Sequence, residues 1–231
     1  MASKLISPPA FSGFVPETLK FLRALGFHQT RAFFEDNRDL YLSALKQPME
    51  LYVEALGAAC AARKLDLRGD PKRALFRLHR DTRFSKDKQP YKTNGGSIVS
   101  RTGGKDAPGI VYTHVSPDGC WFAAGFRAPE PEQLLLLRRT IAKKPATFLA
   151  MEKKLASAGL SLSTNNSLTR NPREFAGVDD RVAHAVRLKS FIARRPFDDA
   201  LLLDGPGLVK AAADFARDAY PLLKFGWSAL G

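Results

Sequence analysis

Cysteine is nearly absent: Cys60 and Cys120 are the only two in 231 residues, far apart and without a CxxC spacing. That excludes a disulfide framework and a zinc ribbon, and predicts two buried free thiols in a reducing compartment. Histidine is also scarce. His28, His79, His114 and His184 form no HxH or HExxH pattern, so no metal site is expected. No run approaches the ~18 apolar residues of a membrane span, and the opening MASKLISPPAFSGF lacks the apolar stretch of a signal peptide. The expectation is a cytoplasmic protein with no membrane partner and no cofactor. The glycines of TNGG and RTGG fit neither a GxGxxG nor a Walker arrangement and read as hairpin chemistry. No GxSxG elbow surrounds a serine. His79-Arg80-Asp81 matches the start of a kinase catalytic loop, but Lys86 stands where that loop needs asparagine.

Acidic residues are the other shortage. Asp and Glu number 23 against 36 Lys and Arg, a formal charge of +13 and a pI near 10.0. Such an excess favours anionic partners: nucleic acid, nucleotides, phosphorylated metabolites or acidic lipid surfaces. The competing reading is a basic proteome background. Hydrophobic residues at 45% and charged residues at 26% are ordinary for a globular chain that buries a core. No composition break divides residues 1–231, which read as a single domain with residues 1–10 a loose lead-in.

Periodicity predicts an α+β fold. Pro16-Glu17 opens a helix striped by Leu19, Phe21, Leu22 and Leu25 and stopped by Gly26. A second helix runs over 31–45, and Pro48 marks a boundary before a third over 49–63. The period then changes to two. Gly96–Arg101, Gly109–Val115 and Cys120–Phe126 alternate, the last two joined by the turn signal Ser-Pro-Asp-Gly. These make a meander around residues 96–126, within an antiparallel sheet of about four to six strands that Phe76–Arg80 extends on one side. Pro131 and Pro145 open two further helices, 161–180 is irregular, and a strand over 188–197 precedes a last helix over 207–220. Helices from both chain ends are expected to cover the sheet.

Charge is concentrated in one stretch. Between Arg63 and Lys105 thirteen Lys or Arg face four Asp, which is nine of the thirteen excess charges. Its centre is RLHRDTRFSKDKQPYKT, Arg77 to Thr93. There Arg77, Arg80, Arg83, Lys86, Lys88 and Lys92 surround Asp81 and Asp87, beside His79 and Tyr91. Guanidinium forks match phosphate and carboxylate oxygens, lysines add point charge, and Tyr91 is a candidate stacking or hydrogen-bonding platform. Tyr112 and His114 share one face by strand alternation, opposite Val111 and Val115, and are candidates for a pocket floor beneath the loop.

This pattern is also recognisable. Phe76-Arg77 and Arg80-Asp81-x-Arg83-Phe84-Ser85-x-Asp87-Lys88-x-Pro90-Tyr91-Lys92-Thr93 resemble the signature of the uncharacterised family called domain of unknown function 2461. An early FxGF, the Tyr112–Gly125 hairpin, Leu137-Arg138 and the late Lys189-Ser190-Phe191 agree. Near residue 28 the family tends to an asparagine-rich pattern where this chain has His28-Gln29-Thr30-Arg31. The resemblance implies a shared architecture and no established activity or cofactor. Three readings stay open: a protein binding an anionic ligand (a phosphorylated small molecule or nucleic acid), an enzyme using Asp81 or Asp87 as acid or base on an anionic substrate, and a protein–protein adaptor in which the motif is structural.

Overall fold

Pro16 opens α1 (Pro16–Phe27) in a computed structural model that describes residues 10–83, 86 and 88–231. Thr18 serves this start twice. Its Oγ1 accepts the Val15 N–H at 3.3 Å and its hydroxyl donates to the carbonyl of Ala44 at 2.6 Å, fully buried. The expected helix over 31–45 breaks at Asn37 into α2 (Arg31–Asp36) and α3 (Arg38–Tyr41). The boundary expected at Pro48 is overturned. A π-helical turn, Leu42–Lys46, leads without interruption into α4 (Gln47–Ala62). Proline offers no N–H to the carbonyl four residues earlier, here Ala44. The Thr18 hydroxyl supplies the missing donor and the wider turn makes room for the ring.

A short helix, α5 (Pro71–Ala74), precedes the sheet. Its strands β1 (Gly95–Ser100), β2 (Ile110–Val115), β3 (Cys120–Phe126) and β4 (Phe191–Phe197) lie in the order β1-β2-β3-β4, every neighbour antiparallel. The meander is the one the alternation predicts, with Gly119 at φ +117° closing the β2–β3 turn. Between β3 and β4 come α6 (Pro131–Lys143), α7 (Pro145–Ser157), an irregular stretch and α8 (Ala183–Val186). Phe76–Arg80 does not form a continuous strand. Bridges at Leu75–Ser97 and Arg68–Ser100 instead run chain along the free edge of β1. The final helix, α9 (Gly205–Leu230), continues ten residues past the expected stop, through Pro221.

One face of the sheet is the core. It carries Val99, Val111, Thr113, Val115, Phe122, Ala124 and Ala193, all buried. Helix α4 docks through Tyr52, whose hydroxyl bonds Thr113 Oγ1 at 2.8 Å. Helix α9 docks through Phe215, 5.7 Å from Phe122. Each fully buried ring of this kind contributes about 1.5–3 kcal/mol of hydrophobic stabilisation. Cys60 and Cys120 are buried free thiols, and burial pushes them up to about 11 and about 12. With α4 and α9 side by side on that face, the opposite face is covered by side chains of its own and of neighbouring loops, and Ile98 and Ala123 are buried there too.

Candidate functional site

The basic segment folds as a hairpin whose arms are fastened to the N-terminal helices. Arg80 N–H donates to Pro90 O and Lys92 N–H to Leu78 O, both at 2.8 Å, bracketing a His79–Tyr91 bridge. Tyr91 is buried, its ring stacked on Phe34 at 4.8 Å. Its N–H donates to Gln29 Oε1 at 3.0 Å, while Gln29 Nε2 donates to Leu25 O at 2.7 Å. His79 sets its edge against Phe34 and Tyr91. So the departure near residue 28 is where the hairpin is anchored, and Tyr91 and His79 belong to that anchor.

At the tip, Arg83 donates from Nε and Nη2 to the two carboxylate oxygens of Asp81 at 2.9 and 2.7 Å. These bonds, with a third from the Arg83 N–H and the charge of Arg77, hold the Asp81 carboxyl below the usual carboxylate range. Lys88 Nζ donates to Thr82 O at 3.0 Å, and Lys86 is exposed. Asp87 lies outside the described residues.

The sheet's outer face has a different character. Register places Gly96, His114, Trp121 and Pro196 in one row across it, and Ile98, Tyr112, Ala123 and Arg194 in the next. His114 stacks on its cross-strand partner Trp121 with ring centres 4.4 Å apart and planes 14° from parallel. The Arg194 guanidinium lies 3.9 Å from the Trp121 ring centre. Because β2 and β4 flank β3 on opposite sides, Trp121 stands bracketed between imidazole and guanidinium. Tyr112 leans across β1, its hydroxyl against the bare Gly96 backbone, where a Cβ would lie 2.5 Å from the phenolic oxygen. That hydroxyl is 3.2 Å from His114 Nδ1.

Burial of the phenol pushes Tyr112 up to about 12. Burial, reinforced by Arg194, pushes His114 down to about 4. Both are therefore neutral at pH 7. A phenol donating to Nδ1 leaves the imidazole proton on Nε2.

The hairpin base meets this face at Phe76, whose ring packs edge-on against Tyr112 at 5.6 Å. Two ammonium groups converge on Phe76: Lys105 Nζ at 5.3 Å and Lys92 Nζ at 5.8 Å from its centre. Burial, then the charges of Arg77, Arg80 and Lys105, depress Lys92 below the ordinary lysine value. The result is a row of rings, Phe76–Tyr112–His114–Trp121, with lysines at one end and Arg194 at the other.

Of the residues singled out by sequence, the structure brings Arg77, Arg80 and Lys92 together at one end of this row and Tyr112 and His114 into its middle. It does not bring His79 to His114, and it sets Asp81, Arg83, Lys86 and Lys88 at the hairpin tip. Sequence reasoning passed over Phe76, Lys105, Trp121 and Arg194 as site residues. Trp121 was within reach, since the Ser-Pro-Asp-Gly turn pairs it with His114. Among the described residues no group of three or more His, Cys, Asp or Glu could hold a metal ion, and no helix is long and apolar enough to cross a membrane.

These features define an α+β protein in which helices cover one face of a four-stranded antiparallel sheet and leave a cation-rimmed aromatic row on the other. The chain belongs to the family described as conserved hypothetical protein (DUF2461), which matches residues 17–225. No curated protein and no solved structure matches it.

Proposed function

We propose that the protein binds a phosphate-bearing anion on the outer face of its sheet, with the base of the 77–93 segment as one wall. The observation that carries this reading is the convergence of Lys92 and Lys105 on Phe76, with Arg77 adding like charge around Lys92. Like charges held together repel, and an anion seated among them relieves the repulsion. Arg194 offers a planar donor fork at the other end of the row, and the neutral His114 and Tyr112 offer hydrogen bonds between.

A small phosphorylated molecule fits better than a polynucleotide. Base stacking needs an uncovered ring face, and Trp121 already has His114 and Arg194 beside it. Asp81, held ionised by Arg83, shapes the hairpin tip rather than exchanging a proton.

The test is calorimetric titration with inorganic phosphate, ribose 5-phosphate and a single-stranded oligothymidylate at 50 and 200 mM salt. Ribose 5-phosphate is expected to bind, and a Lys92→Ala/Arg194→Ala variant to lose tenfold or more in affinity while remaining folded at the assay temperature. A steep salt dependence with tight oligonucleotide binding would replace this reading with the polynucleotide one. Absence of binding by all three probes would end it.

A further inference from the structure

A groove lies on the other side of α9. Helices α7 and α9, with the end of α6 and Leu65, line an open groove of about 500 Å³, within the range of small-molecule sites. Each wall is a helical stripe: Thr147, Met151 and Lys154 on α7, and Arg217, Pro221 and Lys224 on α9. At 100° per residue, the α9 stripe points away from Phe215, which faces the sheet. The groove is therefore separated from the outer sheet face by α9 and the sheet itself.

Its chemistry is two-part. The floor is apolar, made by Leu65, Met151, Pro221 and Phe225, and both Met151 and Phe225 are buried. The rim carries Lys144, Lys154, Arg217 and Lys224, and no acidic residue lines it. Asp214 and Asp218, the acids nearest along α9, are engaged with Arg63, Arg195, Lys210 and Arg217. Asp66, beside Leu65, is held by Arg101. Among the described residues no carboxylate pairs with Lys144, Lys154 or Lys224. Arg217 is compensated by Asp214 and Asp218, but an apolar floor under three lysines with no carboxylate partner among the described residues matches one kind of occupant in both shape and charge. It is a molecule with a hydrocarbon body and an anionic head.

We infer that the α7–α9 groove binds an amphipathic organic anion, its apolar body on Met151 and Phe225 and its head among Lys144, Lys154 and Lys224. This holds whether or not the sheet face binds phosphate.

Decyl phosphate below its micellar concentration is the probe. Tyr220 lines the groove and packs edge-on against Trp227 at 5.8 Å, so Trp227 fluorescence in a Trp121→Phe background reports occupancy. Saturable binding is expected, at least tenfold tighter than that of decanol or inorganic phosphate. A Lys144→Ala/Lys224→Ala variant should lose tenfold or more, with Tm unchanged. The Lys92→Ala/Arg194→Ala variant, which disables the sheet face, should bind as before. Decanol binding as tightly as decyl phosphate, an unaffected Lys144/Lys224 variant, or loss with the Lys92/Arg194 variant instead would each overturn the assignment.

Discussion

The Arg194 guanidinium carbon sits 3.9 Å from the centre of the Trp121 ring, on a strand two places from the one that supplies that ring's stacked partner, His114. Arg194 is exposed, and among the described residues no carboxylate pairs with it. A guanidinium held near an indole still presents a planar fork of N–H donors to a ligand, whereas an ammonium presents a compact point charge. Arg194→Lys should therefore lower affinity for ribose 5-phosphate several-fold. Its effect on stability should stay within about 0.5–1 kcal/mol, the range of an exposed cation–π contact. Calorimetry and urea unfolding on the same variant separate the two effects. Wild-type affinity in Arg194→Lys would remove the fork from the argument.

His114 makes stability depend on pH. Its folded value, about 4, lies below the ordinary 6.5. Between those values the unfolded chain binds the proton more readily, so stability is full above about 6.5 and falls as pH drops toward 4. The site is partly solvated, so the loss attributable to this residue is discounted to about 1–2 kcal/mol. Urea unfolding at pH 4.5 and 7 should show His114→Gln with a shallower slope than the wild type. Arg194→Ala should shift the imidazole titration upward in NMR, since Arg194 adds to the depression.

The hairpin anchor is predicted to be structural. Tyr91→Ala removes a buried ring stacked on Phe34 and should cost about 3–5 kcal/mol. Gln29→Ala strands the Tyr91 N–H and should cost about 1–3 kcal/mol. The Gln29 variant should keep most of its anion affinity once folded. Denaturant midpoints and titration at low temperature measure both. A Gln29→Ala protein as stable as the wild type would show that the contact carries no weight.

The Thr18–Ala44 bond and Pro48 should be thermodynamically coupled. Thr18→Val leaves a buried carbonyl without its donor, at about 1–3 kcal/mol. In a Pro48→Ala background a backbone N–H becomes available within the helix, and the same change should cost less. A double-mutant cycle reads the difference. Equal costs in both backgrounds would mean that the hydroxyl does not stand in for the missing N–H.

The meander was legible because its information is local. Alternation set Tyr112 and His114 on one face and Val111 and Val115 on the other, and one turn fixed the β2–β3 register. Pro48 misled because its cost was met from a distance. Pro48 interrupts nothing when Thr18, thirty residues earlier in the chain, donates to Ala44. Tyr91 looked like a ligand platform from its basic neighbours, but its fate is decided by Phe34 and Gln29 on elements far from it in sequence. Arg194 could not be assigned at all without the β3–β4 register, which is established across the whole α6–α8 excursion. Family membership was legible in the motif of the hairpin, although much of that motif serves the hairpin's own architecture.

The position of α9 also governs how the chain reaches this state. Its residues cover Phe122 and its neighbours, yet α9 follows β1–β4 along the chain, so a polypeptide still on the ribosome can lay α4 on the meander through Tyr52 while the α9 half of that face stays bare. Synthesis at about 5–20 residues per second keeps it so for seconds. That face therefore closes only once α9 has been made, and a chaperone that shields the α9-binding surface until then should raise the yield of native protein.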